Sequence, residues 1–471
     1  MEIIMNIFTV LFNNIISKPQ FFLSIIVFVG YLLLNKTFLE SLAGAVKAAI
    51  GYMILQVGSS GMVKGFAPIL EGLLTKYNIS AAVIDSNLGF AAANQAITDI
   101  GESLSSTMFV LLIGFAINIL LVALKPITKV RTLFTTGHIM VKQAGFITWM
   151  IFFALPEYRN LTGIVIIGTL IGLYWAVFSN LTVEPTEALT EGERFFAVGH
   201  SQMGAIWLTD KISNKLVDPE DSVENVHLPK NLKVLSDNVI GTTAVMLLMF
   251  GSVLLLIGQD TMSQLDPDSL KNISFATYII EKSFSFTASF LILQTGVKMF
   301  VNEITTSFQG ISDRLLKGSV PAVDCAATYG FASGNTVLIG FLFGFLGQLL
   351  AIIGLLIFKS PIFIISGFVP LFFDNGTLAV YANNKGGRKA AMLVPFINGI
   401  SQVLLGAVGV AMFGLAKYGG WYGNIDVSTI WIAIGGLIKQ FSVIGVILSI
   451  IIMLLIPQLQ YKFSKDKEKY F

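Results

Sequence analysis

Long apolar runs alternate with short polar connections along the whole chain. A run of about 20 apolar residues crosses a bilayer as a helix, because hydrocarbon offers the backbone no hydrogen-bond partner. Nine segments predict such spans, at residues 21–34, 39–55, 108–124, 161–178, 239–257, 275–293, 337–358, 391–415 and 431–456. Five more are too short or too polar to cross simply, at residues 81–97, 145–155, 195–208, 320–331 and 361–373. The pattern predicts an all-α polytopic membrane protein of ten or eleven helices with re-entrant or broken segments.

The basic residues collect in three polar segments, the connection 125–131, the linker 210–237 and the tail 461–471. By the positive-inside rule these segments face the cytoplasm. We therefore divide the chain into a first repeat at 1–209, a cytoplasmic linker at 210–237, a second repeat at 238–460 and a basic cytoplasmic tail at 461–471. Residues 1–17 predict an interfacial helix and lack the basic start of a signal peptide.

Three short sequences recur in the same order at nearly one offset. ILQVG at 54–58 returns as ILQTG at 292–296, which is 238 residues later. Asp85 matches Asp324, and FTTG at 134–137 matches FDNG at 373–376, each pair 239 residues apart. This spacing predicts a duplicated unit. Fused repeats are the architecture of carriers, where broken helices of both halves meet and hold the solute. An odd number of spans in each half would make the repeats inverted, and this is what we expect.

Composition narrows the function further. With 54% hydrophobic and 12% charged residues the chain is not a soluble globular domain, and a net charge of +2 gives no reason to expect a nucleic-acid partner. A single cysteine excludes a disulfide framework. Because the three histidines are also widely separated, we expect no metal site or other cofactor. The sequence has no P-loop, so transport energy comes from an ion gradient or from another protein.

Polar side chains at membrane depth usually mark a solute pathway, because they are expensive to place there. Four places in the short segments and helix starts carry them. The candidate solute contacts are Asp85, Ser86, Asn87, His138, Ile139, Met140, Lys142, Gln143, His200, Ser201 and Asp324.

Structural roles compete with these assignments. Asp85 also suits a helix N-cap, Lys142 also suits snorkelling to the headgroups, and either Gly-His pair also suits a solvated helix start. Gln56 and its repeat mate Gln294 either bond neighbouring helices or mark paired helix breaks. Asp324 is the hardest to explain structurally, because its segment contains no other charge.

The order of motifs resembles a known family over essentially the whole chain. ILQVGS at 54–59, TGHIM at 136–140, FQGIS at 308–312, VDCAA at 323–327 and PLFF at 370–373 resemble the ascorbate-type IIC permeases of the sugar phosphotransferase system. The resemblance implies an eleven-helix homodimer in the bacterial plasma membrane, with a scaffold and a substrate-holding core in each protomer. It also implies import of L-ascorbate while a separate cytoplasmic IIB protein, served by IIA, supplies phosphoryl from a phosphocysteine.

The resemblance carries over to individual positions. The sugar contacts of the family fall here on Ser86, Asn87, residues 138–142, His200, Ser201 and Asp324. Ascorbate carriers have Tyr where Asn87 stands and Gln where Lys142 and Ser201 stand, whereas both histidines and Asp324 match. We therefore expect L-ascorbate or a related sugar acid or polyol as the substrate.

Two mechanisms fit these residues. In the first, the permease positions a sugar hydroxyl for attack on the phosphocysteine, with Asp324 as the preferred base and His200 as the second choice. In the second, a secondary symporter moves a small polar solute without phosphorylation, and Asp324 and Asp85 carry protons. The tandem repeat with broken central segments disfavours a passive channel.

Overall fold

A computed structural model describes residues 19–192, 196–216, 222–223, 234–235, 237–316, 318–332, 334–464, 467 and 470–471. The predicted interfacial helix at 1–17 and most of the linker lie outside the described residues. In the first half the elements are α1 (Pro19–Leu33), α2 (Phe38–Tyr77), β1 (Ser80–Ile84), α3 (Ser86–Asp99), α4 (Ser105–Ala123), α5 (Lys125–Thr128), β2 (Thr132–Phe134), α6 (Gly137–Ala154), α7 (Leu161–Leu181), α8 (Val183–Leu189), β3 (Ala197–Val198) and α9 (Met203–Ser213).

The second half has a similar make-up. Its elements are α10 (Asn238–Ile257), α11 (Gln259–Leu265), α12 (Pro267–Leu270), α13 (Phe275–Leu315), β4 (Val320–Val323), α14 (Gly334–Ile357), β5 (Ile362–Ser366), α15 (Asn375–Met412), β6 (Gly420–Trp421), α16 (Ile432–Phe441) and α17 (Val443–Phe463). A 3₁₀ turn at Cys325–Phe331 follows β4, and π-helical turns occupy Pro370–Asp374 and Val427–Trp431.

The helices are long and apolar enough to confirm an all-α polytopic membrane protein. Among the described residues seven helices meet the length and hydropathy of a span: Phe38–Tyr77, Ser105–Ala123, Leu161–Leu189, Val239–Ile257, Asn335–Ile357, Pro370–Met412 and Val443–Phe463. The count of ten or eleven stays a prediction.

Helices α2 and α13 extend well beyond the predicted spans, to 40 and 41 residues. The Gly-containing motifs do not end them; they allow the two helices to cross closely. A Cβ on Gly58 would strike the backbone of Leu293, and a Cβ on Gly296 would strike the backbone of Leu55. The contact is reciprocal between ILQVG and ILQTG, and Gln56 and Gln294 do not mark helix breaks. The duplication and its inversion stay predictions.

The short polar segments contain strands that the sequence reading did not foresee. They form two parallel three-stranded sheets, β5-β1-β6 and β2-β4-β3. Ile84 pairs with Ser366 and Trp421, and Ala322 pairs with Phe134 and Ala197. Each sheet thus joins one strand of one half to two strands of the other. Extended backbone is tolerated at membrane depth where it is buried in protein. The segment 145–155 is different, because it lies inside helix α6.

One predicted span is interrupted in the structure, and another begins just after a break. The span at 431–456 is broken at Ser442, whose φ of 49° and ψ of −130° separate α16 from α17. The span at 391–415 is the later part of α15, which is interrupted at Gly387 with φ 68° and ψ −162°. Only glycine adopts such a conformation at little cost. Hydropathy averages over single residues, and it therefore could not reveal either break.

The basic connection and the basic tail lie together, as residues predicted to share one membrane side should. The Lys129 ammonium sits 4.3 Å from the ring centroid of Tyr461, and Gln458 Nε2 donates to the Ile127 carbonyl at 2.8 Å. The guanidinium of Arg131 stacks on the ring of Tyr470 at 3.7 Å. That this side is cytoplasmic stays a prediction.

Candidate functional site

The carboxyl ends of the two sheets converge in the interior of the protein. Ser201 follows β3 of one sheet, and its Oγ lies 3.4 Å from the hydroxyl of Tyr422, which follows β6 of the other. The Asp426 amide donates to the Ser201 carbonyl at 3.1 Å. Ligands of open parallel sheets bind outside the carboxyl ends of the strands. This convergence is therefore the natural place for a solute site.

Three of the predicted site residues meet at the end of the β2-β4-β3 sheet. His138 Nε2 lies 3.1 Å from Asp324 Oδ2, and the rings of His138 and His200 are 6.4 Å apart. One nitrogen or oxygen atom from each of the three residues lies within 4.8 Å of the other two. We expected no metal cluster because these residues are far apart in sequence. In the fold they are nevertheless neighbours. Three neighbouring strands bring them together.

Local backbone geometry orients each member of this cluster. Asp324 caps the 3₁₀ turn, and its Oδ1 accepts from the Ala326 amide at 2.9 Å, so Oδ2 turns to His138. His200 Nδ1 pairs with the side-chain oxygen of Gln202. Because that oxygen only accepts, Nδ1 donates, and the neutral imidazole keeps its lone pair at Nε2. His200 is buried, whereas His138 and Asp324 keep 32% and 36% of their side chains exposed.

Lys142 lies inside the protein. It is only 5% exposed, on the second turn of α6, and the charges of Asp85 and Asp324 both act on its ammonium. Snorkelling would require the side chain to run outward to the headgroups. The structure instead buries this side chain, where it interacts with the carboxylates that follow β1 and β4.

Gln143 connects the site to the wall behind it. Its Nε2 donates to Ser201 Oγ at 2.8 Å, and its Oε1 accepts from the indole nitrogen of Trp175 at 2.6 Å. The amide is thereby fixed in orientation and holds the Ser201 hydroxyl in place. Ile139 and Met140 are different, because both side chains pack into the apolar core.

Asp85 takes the structural role that the sequence left open. It is buried and caps α3, with Oδ1 accepting from Asn87 at 2.9 Å and from Leu88 at 3.4 Å. Its Oδ2 accepts from the Val369 amide at 3.2 Å. Both oxygens are thus engaged by backbone donors of the fold.

Several buried polar atoms beside these residues lack a hydrogen-bond partner. Among the described residues they include Ser86 Oγ, Gln202 Nε2, and both polar side-chain atoms of Asn87, Nδ2 and Oδ1. Buried polar groups are nearly always paired in proteins. A polar ligand or water molecule at the converging strand ends would supply the missing partners.

Comparison with known proteins shows the family of this chain. The chain matches the family described as "PTS system sugar-specific permease component" over residues 14–429. It belongs to this family of permeases. It is also 33% identical over 434 residues to the "Ascorbate-specific PTS system EIIC component" of Mycoplasma pneumoniae, covering 83% of this chain. The chain spans 65% of the length of that relative.

The loop before the second π-helical turn holds the backbone of Ser201 in place, and the sequence did not predict this role. Asp426, just before the second π-helical turn, accepts from the amides of Gly204 at 2.9 Å and Ala205 at 3.2 Å, and from the hydroxyl of Tyr174 at 2.8 Å. Asp374 in turn accepts from the Ile425 amide at 2.7 Å. These carboxylates fix the loop that bonds Ser201. Asp374 lies in FDNG at 373–376, which the sequence analysis used only as the repeat match of FTTG.

Proposed function

We propose that this chain is the membrane permease subunit, IIC, of a phosphotransferase system. It imports L-ascorbate or a related sugar acid or polyol, and a separate IIB protein phosphorylates the substrate during import. Family membership supports the class of sugar permease. The observation that carries the substrate class is the buried cation of Lys142 beside the cluster of His138, His200 and Asp324.

A buried ammonium favours an anionic substrate. A charge-assisted hydrogen bond from Lys142 contributes about 1.5–3 kcal/mol, which a neutral polyol would not gain in full. The carboxylates of Asp85 and Asp324 keep this cation partly compensated when the site holds no substrate. The unpaired atoms of Asn87 and Ser86 offer hydrogen bonds to hydroxyl groups. Together these groups suit a small, hydroxyl-rich anion.

Phosphoryl transfer requires mainly positioning and one proton acceptor. The attacking hydroxyl oxygen of the sugar forms a bond to phosphorus while the bond from the phosphocysteine sulfur of IIB breaks. The hydroxyl proton passes to the Asp324 carboxylate, whose Oδ2 faces the site beside His138. His200 is the second candidate for the base, because its Nε2 keeps a lone pair. The phosphorylated sugar then leaves toward the cytoplasm.

The proposal includes the cellular setting. We place the permease in the bacterial plasma membrane as a homodimer, with the cytoplasmic IIB and IIA proteins as partners and with no cofactor or nucleic acid. Apolar side chains line the outer faces of α2 and α17, including Leu39, Val57, Ile444 and Ile452. Such faces suit lipid or a second protomer. Chemical cross-linking in native membranes tests the dimer.

Transport by reconstituted vesicles distinguishes the two mechanisms. The purified chain is placed in liposomes that contain phosphoenolpyruvate and the soluble phosphoryl carriers, including IIB, and labelled ascorbate is added outside. We expect phosphorylated ascorbate in the lumen, and none when IIB alone is omitted. Accumulation of unmodified ascorbate driven by a proton gradient, without the carriers, would contradict the proposal and support a symporter.

A further inference from the structure

We infer that His138, His200 and Asp324 form a binding site for a borderline divalent metal ion of the Zn²⁺ type. The inference concerns the same side chains as the proposed sugar site but does not depend on sugar transport. It rests on ligand geometry and, independently, on the hydrogen bonds that orient the ligands.

The three ligand atoms are close to the spacing that a tetrahedral ion needs. Bonds of about 2.0–2.2 Å from zinc to nitrogen or oxygen place neighbouring ligand atoms about 3.3–3.6 Å apart. His138 Nε2 and Asp324 Oδ2 are already 3.1 Å apart, and all three ligand atoms lie within 4.8 Å of one another. The metal ion displaces the proton shared by His138 Nε2 and Asp324 Oδ2, and the His138 ring, 32% exposed, has room to rotate toward the ion. Buried His200 provides the fixed point.

The surroundings of the ligands have the features of a metal site. Metal-binding histidines almost always donate their second ring N–H to an oxygen, which fixes the tautomer. Gln202 plays that part for His200, because its side-chain oxygen pairs with Nδ1 and leaves Nε2 free. The Ala326 amide holds Oδ1 of Asp324 at 2.9 Å and so directs Oδ2 into the cluster. Two of the three ligands therefore have their donor atoms preset.

The ligand set selects the kind of ion. Two imidazole nitrogens and one carboxylate oxygen suit Zn²⁺, whereas Mg²⁺ and Ca²⁺ prefer ligand sets made of oxygen alone. Solvent reaches the exposed parts of His138 and Asp324, so water completes the coordination. A bound ion occupies the lone pairs that sugar hydroxyls would use. Zn²⁺ should therefore compete with the sugar.

Metal binding is measured on the purified full chain without any sugar. After removal of metals with a chelator, we expect titration with Zn²⁺ to show one saturable site per chain, and titration with Mg²⁺ to show none. His200→Asn and Asp324→Asn should each weaken Zn²⁺ binding at least tenfold. His227→Asn is the matched control, because it removes the remaining histidine, and its affinity should equal that of wild type.

X-ray absorption of the zinc-loaded chain identifies the ligands without relying on variants. We expect two imidazole nitrogens and oxygen neighbours at about 2.0–2.1 Å. A shell of oxygen alone, absence of saturable binding, or equal affinities for wild type, His200→Asn and Asp324→Asn would overturn the inference. Vesicle transport is scored separately. Zinc binding without phosphorylated product would reject only the proposed function, and product without zinc binding would reject only the metal site.

Discussion

Asp85 and Asp324 follow equivalent-looking strands, lie 239 residues apart and both cap the helical turn that comes next. Their surroundings differ. Asp85 is buried, and both of its carboxylate oxygens accept from backbone amides of α3 and of the chain after β5. Asp324 gives one oxygen to the Ala326 amide and turns the other to His138, with 36% of its side chain exposed. The same capping arrangement thus ties both oxygens of Asp85 to the backbone, whereas at Asp324 one oxygen faces a side chain of the candidate site, His138.

The comparison shows how a carboxylate at membrane depth can serve two purposes. At Asp85 the carboxylate accepts hydrogen bonds from backbone amides that are part of the fold. Removal of the carboxylate should therefore destabilise the fold. At Asp324 a hydrogen bond from one amide fixes the side chain, and the second oxygen faces the partly exposed imidazole of His138, which a ligand can displace. The ammonium of Lys142 interacts electrostatically with both carboxylates.

The largest effect is expected for Asp324→Asn. Asparagine keeps the size and the capping oxygen but removes the charge and the proton acceptor. General-base catalysis typically contributes about 10²–10⁴-fold to a rate. Phosphorylation-coupled uptake in vesicles should therefore fall by about that factor, while the variant elutes like wild type on gel filtration. Loss of the folded species would make Asp324 a structural residue like Asp85.

The next effect is a loss of stability in Asp85→Ala. The change leaves buried amides of Asn87, Leu88 and Val369 without their acceptor. Removing a cap and exposing such donors costs about 2–4 kcal/mol in total. Thermal unfolding in detergent should show a clearly lower midpoint.

Asp324→Ala is the matched control for that measurement. It loses one exposed amide contact, to Ala326, and the partly exposed pairing with His138, so we expect a cost of about 1 kcal/mol or less. Equal destabilisation by the two alanine variants would remove the distinction between the two aspartates.

A smaller effect is expected for His200→Ala. Its buried imidazole lies in the same cluster as Asp324. Loss of a hydrogen bond between a buried polar group and a sugar hydroxyl costs about 1–3 kcal/mol. Equilibrium binding of ascorbate should weaken about tenfold to a hundredfold. Unchanged affinity would show that His200 supports the local structure without touching the sugar.

The smallest and most selective effect is expected for Lys142→Gln. The variant carries the residue that the resembling ascorbate carriers have at this position. We expect weaker binding of ascorbate, by about tenfold, with little change for neutral galactitol. Binding of both compounds is measured on wild type and variant. Equal losses for both, or none for either, would reject charge selection by Lys142.

Residues of the site could be predicted from the sequence where their side chains are chemically unusual for a membrane segment. Charged and imidazole groups in apolar segments pointed to His138, His200 and Asp324, and the structure brings these three together. For Asp85 the sequence supported both a cap and a contact, because an aspartate before a helix has the same pattern in either role. Only its neighbours in space, such as Val369, show that its oxygens are occupied.

Other features depend on contacts between distant segments and left no local pattern. The six strands are only two to five residues long, and in so short a segment a strand and a piece of buried helix look alike. Helix α2 runs through Gly58 because that glycine packs against Leu293, which no local rule foresees. Asp426 was missed because its partners are backbone amides of α9, more than 200 residues earlier in the chain.

We expect Asp324 to contact the solute directly, whereas Asp85 only supports the site from within the fold. Titration of ascorbate into purified wild type, Asp324→Asn and Asp85→Asn tests this directly, with each variant first checked as a folded species on gel filtration. We predict that Asp324→Asn weakens binding at least about tenfold, because its contact with the sugar is lost, and that folded Asp85→Asn stays within about threefold of wild type. Equal losses in both variants, or a larger loss in Asp85→Asn, would contradict these different roles of the two aspartates.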